Sequence, residues 1–65
     1  MLVKLKANST IGLKSIHING SCWEIKKSFC TNHLIVSLDG KTQKWVSTKW
    51  DPHFTLLNYL THKPL

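Results

Sequence analysis

Apolar and polar residues alternate along most of the first 48 positions, and this period of two is typical of a β-strand with one buried face. The pattern is simplest at residues 2–7, where apolar residues face one way and Lys4 and Lys6 face the other. We therefore expect the first strand at residues 2–7. Turn-forming residues at 8–10 end it, and Gly12 is expected to mark a bulge or a bend.

The strongest local signal in the chain is the pair Asn19-Gly20, which suits both positive-φ positions of a type I′ turn. A two-residue loop at this pair predicts a hairpin in which Ile16 lies opposite Trp23. In this register Ile16, Ile18, Trp23 and Ile25 share one face of the hairpin.

A second hairpin is predicted farther along the chain, after a connection at residues 28–32. Its strands are residues 33–38 and 43–48, and its turn is Asp39-Gly40-Lys41. A loop of two residues and a loop of three residues place Trp45 on opposite faces, so the sequence leaves the direction of this side chain open. The row expected to face the core consists of Leu34, Val36 and Leu38.

The apolar period changes after residue 50, and residues 52–61 have the spacing of a helix. Asp51 is a good N-cap, and Pro52 at the first helical position gives up no hydrogen bond. Ten residues are too few for a stable isolated helix, so we expect this one to dock on the sheet. Its apolar stripe consists of Phe54, Leu56, Leu57 and Leu60.

Together these elements predict a mainly β fold of the α+β type in a single domain of residues 1–65. About five short antiparallel strands, including two hairpins, would form a small SH3-like barrel or a bent sheet that is capped by helix 52–61. A domain of this size buries only about 60% of the surface that its unfolded chain exposes, so its stability is expected to be marginal. Three tryptophans supply apolar area that helps to compensate for the short chain.

The chain has no segment that predicts membrane insertion or secretion. No apolar run is longer than Leu34-Ile35-Val36, and the N-terminus lacks the continuous apolar segment of a signal peptide. We therefore expect an intracellular, cytoplasmic protein in which Cys22 and Cys30 are free thiols.

Charge is the compositional feature that bears most on function. Nine lysines and no arginine stand against three acidic residues, which gives a formal net charge of +6. Such an excess attracts polyanions. An arginine side chain reads guanine edges bidentately, whereas a lysine is a hydrated point charge, so lysines alone favour attraction to a phosphate backbone over reading of base sequence. The alternative interpretation is that the lysines only keep a small domain soluble.

Metal binding and catalysis are weakly indicated. Cys22, Cys30 and His33 have a C-x7-C-x2-H spacing, which lacks the two close ligand pairs of a structural zinc site. The three acidic residues are separated in sequence and offer no obvious carboxylate pair. We therefore expect no metal, no cofactor and no catalytic residues.

One resemblance points to an enzyme all the same. It rests on Asn32-His33-Leu34-Ile35, Asp39-Gly40-Lys41 and Thr55-Leu56-Leu57-Asn58-Tyr59-Leu60. This stretch, under half of the chain, resembles HicA-type messenger-RNA interferases. The resemblance implies a histidine that opens a strand hairpin, a helix after that hairpin and a fold similar to a double-stranded-RNA-binding domain, with His33 as the catalytic base. The helix that such toxins carry before the histidine is replaced here by the predicted Asn19-Gly20 hairpin.

A second resemblance is architectural. The start Val3-Lys4-Leu5-Lys6, the small size, the lysine content and a C-terminal helix after a hairpin are similar to archaeal seven-kilodalton chromatin proteins. That resemblance implies an SH3-like barrel that binds duplex DNA nonspecifically. The chain departs from this family in its longer middle hairpin, its free cysteines and its small number of acidic residues.

Lysines and tryptophans interleave between residues 41 and 50, and this stretch is the candidate site. Exposed aromatic rings stack on bases, and lysines beside them meet the phosphates. The alternative is that Trp45 belongs to the core and Trp50 packs at the start of the helix as a hydrophobic staple. The candidate nucleic-acid interface consists of Lys41, Lys44, Trp45, Lys49 and Trp50, helped by Lys4 and Lys6.

From these features we expect a non-enzymatic module that binds DNA or RNA with little sequence specificity. Two other classes stay open, namely a small protein of a virus or mobile element that binds an acidic host protein, and a HicA-like ribonuclease toxin. Exclusive use of lysine is typical of AT-rich genomes, which include many such elements. No membrane partner is expected, and the chain is predicted to be a monomer or a weak homodimer, since the strand at residues 2–7 is an exposed edge.

Overall fold

The fold is one antiparallel sheet of five strands with a short helix on one side. The computed structural model describes all residues from 1 to 65. In chain order the elements are β1 Leu2–Ala7, α1 Thr10–Asn19, β2 Cys22–Phe29, β3 Asn32–Ser37, β4 Gln43–Ser47 and β5 Phe54–Asn58. The strands lie in the order β4-β3-β2-β1-β5. The predictions of a mainly β fold with five antiparallel strands, and of a first strand at residues 2–7, are confirmed.

The core lies between the sheet and α1, on the face that we call the inner face. Ile16 of α1 packs against this core. Trp23 is its largest fully buried side chain, and its Nε1 donates a hydrogen bond to the Gly20 carbonyl at 2.8 Å. Burial of this ring therefore leaves no polar atom without a partner. The buried apolar cluster consists of Val3, Leu5, Trp23, Ile35, Val46, Phe54 and Leu56.

The sheet is bent, because side chains from its two opposite edges meet over the core. β4 and β5 are the edge strands and do not pair with each other. β1 pairs with both β2 and β5, so the prediction that residues 2–7 form an exposed edge is wrong. The ammonium group of Lys44 on β4 nevertheless lies 4.3 Å from the centroid of the Phe54 ring on β5. The structure is thus an open, bent sheet, and the SH3-like barrel that was the other expectation is not confirmed.

A helix occupies the segment where the first hairpin was predicted. Ser9 caps its start, because the hydroxyl oxygen accepts the amide hydrogen of Gly12 at 3.0 Å. Gly20 ends it with a φ of 86° and donates its amide to the Ile16 carbonyl at 2.7 Å. The predicted Asn19-Gly20 hairpin is therefore wrong, and so is the bulge or bend at Gly12, which lies inside α1. Glycine is also the usual residue just beyond a helix, since it tolerates positive φ.

The predicted C-terminal helix at residues 52–61 is also wrong, because this segment contains β5. β5 pairs with β1 along its whole length, and this register buries Phe54 and Leu56. The Asp51 carboxylate does accept the amides of His53 and Phe54, at 2.9 Å each. The turn that it stabilises leads into a strand instead of a helix. Sheet pairing and burial outweigh the weak helical preference of a ten-residue segment.

The hairpin of β3 and β4 lies close to the predicted strands at 33–38 and 43–48. Its turn depends on Asp39, whose carboxylate accepts hydrogen bonds from the Ser37 hydroxyl and the Lys41 amide. The predicted inward row of Leu34, Val36 and Leu38 is wrong. Ile35 and Ser37 are the buried residues of β3, and Leu38 is exposed in the turn.

The connection predicted at residues 28–32 is shorter than expected. β2 and β3 form a tight hairpin whose turn is Cys30-Thr31. Cys30 adopts a φ of 54°, in the left-handed region that a two-residue hairpin loop requires. Only the first residues of β2 pair with β1. The rest of β2 extends beyond β1 and pairs with β3 alone.

Candidate nucleic-acid interface

The sheet face opposite α1, which we call the outer face, presents a row of side chains across three strands. Trp45 on β4 lies opposite Leu34 on β3, and Leu34 lies opposite Lys27 on β2. In the next row on the same face, Asn32 lies opposite Phe29. Trp45 is 54% exposed and Phe29 is 71% exposed, so the face offers two aromatic rings to solvent.

These side chains border an open groove. Its volume is about 700 Å³, and its walls are Lys27, Ser28, Phe29, Asn32 and Trp45. Both rings and one lysine therefore share a single concave surface. The groove lies on the part of β2 that extends beyond β1. β2 forms one wall of the groove, and β3 and β4 form the other.

A β-bulge directs Phe29 and Lys27 to this face. The register of β2 against β3 shifts between Ile25, which points to the core, and Lys27. Simple alternation from Ile25 would turn Lys27 and Phe29 inward, whereas the extra residue of the bulge turns both outward. The sequence pattern does not predict these two residues at the interface. The only hint of the bulge in the sequence is the pair Lys26-Lys27, which interrupts the alternation of apolar and polar residues. Such a pair does not by itself show where a bulge lies.

Two of the lysines expected at the interface also lie on the outer face. Lys4 and Lys6 alternate along β1 with the buried Val3 and Leu5. The ammonium group of Lys4 lies 5.8 Å from the centroid of the Tyr59 ring. The structure therefore places Lys4, Lys6 and Trp45 on one face, with Lys27 and Phe29 added to them.

Lys44 lies on the inner face instead, away from Trp45. Its Nζ donates to the Ser15 hydroxyl of α1 at 2.8 Å and lies 5.0 Å from the centroid of the Trp23 ring. Burial lowers the pKa of Lys44, and the negative charge of Asp51 opposes part of that shift. This lysine therefore joins β4 to α1 and the core.

The other three candidates lie in loops. Lys41 is in the turn between β3 and β4, whereas Lys49 and Trp50 are in the loop between β4 and β5. Lys49 and Trp50 border a second, more polar groove of about 480 Å³. Trp50 is 74% exposed and no helix follows it, so its interpretation as a hydrophobic staple is wrong. Trp45 is not in the core either.

The acidic residues are engaged within the fold. Glu24 forms the only ion pair, with Lys26 at 2.6 Å, and this hydrogen bond and charge lower the pKa of Glu24. Hydrogen bonds from the Ser37 hydroxyl and the Lys41 amide lower the pKa of Asp39. Seven lysines have neither an acidic partner nor the buried contacts of Lys44, namely Lys4, Lys6, Lys14, Lys27, Lys41, Lys49 and Lys63.

Two of the four histidines form separate hydrogen-bond contacts, and neither contact involves a cysteine. Nδ1 of His33 lies 2.7 Å from the Ser28 hydroxyl, and Nδ1 of His53 lies 2.7 Å from the Ser9 hydroxyl. Both cysteines are free, and no group of three or more histidine, cysteine or acidic side chains could hold a metal ion. The helix that the HicA resemblance implies after the hairpin is replaced by β5.

Comparison of the chain with models of known families, with curated proteins and with solved structures gives no match. The one helix, α1, is too short to span a membrane. Functional inference therefore depends on the geometry and charge of the outer face.

Proposed function

We propose that this protein is a non-enzymatic, cytoplasmic module that binds nucleic acid through lysine–phosphate contacts with little sequence specificity. The observation that carries the proposal is the unequal use of charge in the fold. The three acidic side chains are held by Lys26 or by turns, while seven lysines have no acidic partner. Phosphates are the ligands that such free ammonium groups neutralise, with release of counterions.

The outer face is the best surface for this contact. Lys4, Lys6 and Lys27 project from it, and Lys41 and Lys49 lie just beyond the two ends of β4. A polyanion that crosses the sheet would therefore meet lysines on β1, on β2 and in both loops that flank β4. Because arginine is absent, bidentate reading of base edges is not available, and phosphate contacts dominate.

The test is a titration with a labelled oligonucleotide at several salt concentrations. We expect binding that weakens steeply between about 50 and 200 mM salt. Lys6→Ala and Lys27→Ala, each made alone, should lower the slope of log K against log salt by about 0.7 for a single strand or 0.9 for a duplex. Lys14→Ala on α1 is the matched control, because it removes the same charge from the other side of the molecule.

Three outcomes would contradict the proposal in different ways. Equal losses in Lys14→Ala and Lys27→Ala would mean that the charge acts diffusely and that no defined face exists. No binding at low salt would leave an acidic host protein as the better partner. RNA cleavage by the parent protein, lost specifically in His33→Ala, would favour the ribonuclease class.

A further inference from the structure

Two aromatic rings lie exposed on the outer face. Trp45 and Phe29 are 54% and 71% exposed, whereas Trp23 is fully buried. Leu34 lies between Trp45 and Lys27 in one row of this face. Trp45 and Phe29 therefore supply the apolar part of a groove that Lys27 also borders. A contiguous apolar patch is uncommon on a soluble monomer and usually marks a binding surface.

The chemistry of this patch matches an unpaired base. In a duplex, each base is covered above and below by its neighbours, so an aromatic side chain meets a base plane only after unstacking. In a single strand, each base offers a free ring face, and stacking on an aromatic side chain is tolerant of sequence. Lys27 lies one strand from Leu34 in the same row, in position for the adjacent phosphate.

We infer that the nucleic acid bound by the outer face is single-stranded, and that Trp45 and Phe29 stack on its bases while Lys27, Lys4 and Lys6 contact its phosphates. This inference rests on the proposed function and names its ligand class. The two rings lie two strands apart, a separation of about 10 Å across the sheet. They therefore act as two separate stacking positions along one strand.

Charge argues against a second copy of the chain as the occupant of this face. Two outer faces packed together would bring the lysines of one copy, which are Lys4, Lys6 and Lys27, onto a face of the other copy that carries the same positive charges. Glu24 is the only acidic residue on this face, and Lys26 already pairs with it. Repulsion between the lysines would oppose such a dimer, whereas a phosphate backbone relieves it.

The experiment compares an oligothymidine with a duplex of mixed sequence and the same length at one low salt concentration. We expect tighter binding of oligothymidine, and a weakening of about tenfold or more in Trp45→Ala and in Phe29→Ala. Trp45→Phe should retain most of the affinity, because it keeps a ring. Ile18→Ala is the control, since it removes an exposed apolar side chain from α1, on the other side of the sheet.

The outcomes separate this inference from the function on which it rests. Equal binding of duplex and single strand, with no loss in Trp45→Ala or Phe29→Ala, would overturn the inference and leave phosphate binding intact. No binding of either oligonucleotide by the parent protein would overturn both. Dimerisation of the parent that is abolished by Trp45→Ala, without nucleic-acid binding, would assign the face to a second copy of the chain.

Discussion

A single glycine determines how closely α1 approaches the loop before β5. Gly12 is buried on the inner side of α1, facing the backbone of His53. A Cβ atom at this position would lie well under 3.0 Å from the His53 carbonyl oxygen, closer than real Cβ contacts. That carbonyl also accepts the amide of Asn8 at 2.8 Å, so it is not free to move away. This position requires glycine, because the backbone of α1 lies directly against the backbone of His53 and leaves no room for a side chain.

Gly12→Ala should therefore lower the free energy of unfolding by about 1–3 kcal/mol, as in other overpacked sites. The gain in helix propensity from alanine, about 1 kcal/mol, offsets only part of the strain. Urea unfolding at neutral pH measures the change. Ile11→Ala is the control, because Ile11 is an exposed position of the same helix. A Gly12→Ala variant as stable as the parent would show that the helix can shift at no cost.

At the scale of the element, β5 is protected by the residues that follow it. The Asn58 side-chain oxygen accepts the amides of Leu60 and Thr61, at 2.9 and 3.0 Å, which closes a turn. The chain then lies against β5, where Asn58 donates its amide to the Lys63 carbonyl and Leu65 donates to Leu56. An exposed strand edge is a template for association with other chains. Part of this edge is satisfied within the molecule.

Asn58→Ala should release the residues after the turn and lower the free energy of unfolding by about 1 kcal/mol. The specific readout is hydrogen exchange at the Leu65 amide, which should become faster. Asn58→Asp keeps an acceptor oxygen at the same position and should preserve the protection. Unchanged exchange in Asn58→Ala would mean that the backbone pairing holds without the turn.

At the scale of the whole molecule, stability rises with pH in two separate ranges, one acidic and one alkaline. The pKa values of Glu24 and Asp39 are lowered from 4.5 and 3.8 by hydrogen bonds, so their contribution is lost as pH falls through the folded-state values. The pKa of Lys44 is lowered from 10.5 by burial, so the folded state releases this proton first. Stability from Lys44 therefore rises with pH as it approaches 10.5 from below.

Lys44→Met should abolish this alkaline gain. We expect the parent to gain more stability than the variant between about pH 7 and pH 10, since a half-buried ammonium is replaced by a side chain that does not titrate. Urea unfolding at both pH values measures the difference. Lys41→Met is the matched control, because it removes one positive charge from the exposed turn. The same pH response in both variants would show that Lys44 is not the source.

Local chemistry was correctly identified more often than the element to which it belongs. Gly20 does adopt a positive φ, and Asp51 does bind free amides, as their sequence context predicts. Each signal is shared by two structures, because Asn-Gly suits a hairpin turn and a helix end alike, and aspartate binds the amides of turns as well as helices. Among the candidate site residues, Lys4, Lys6 and Trp45 share the outer face, whereas Lys44 lies on the other face of β4.

The sequence by itself determined the properties that depend on near neighbours and composition. These are the alternation of β1, the turn at Asp39 and the excess of lysine over acid. The tertiary structure alone decided that residues 10–19 form a helix, that residues 54–58 form a strand and that Phe29 faces solvent. Each of these depends on a partner distant in the chain, namely the core around Ile16, the pairing edge of β1 and the bulged register against β3. Pairing and burial with such partners outweigh local preferences, which differ by only about 1 kcal/mol per residue.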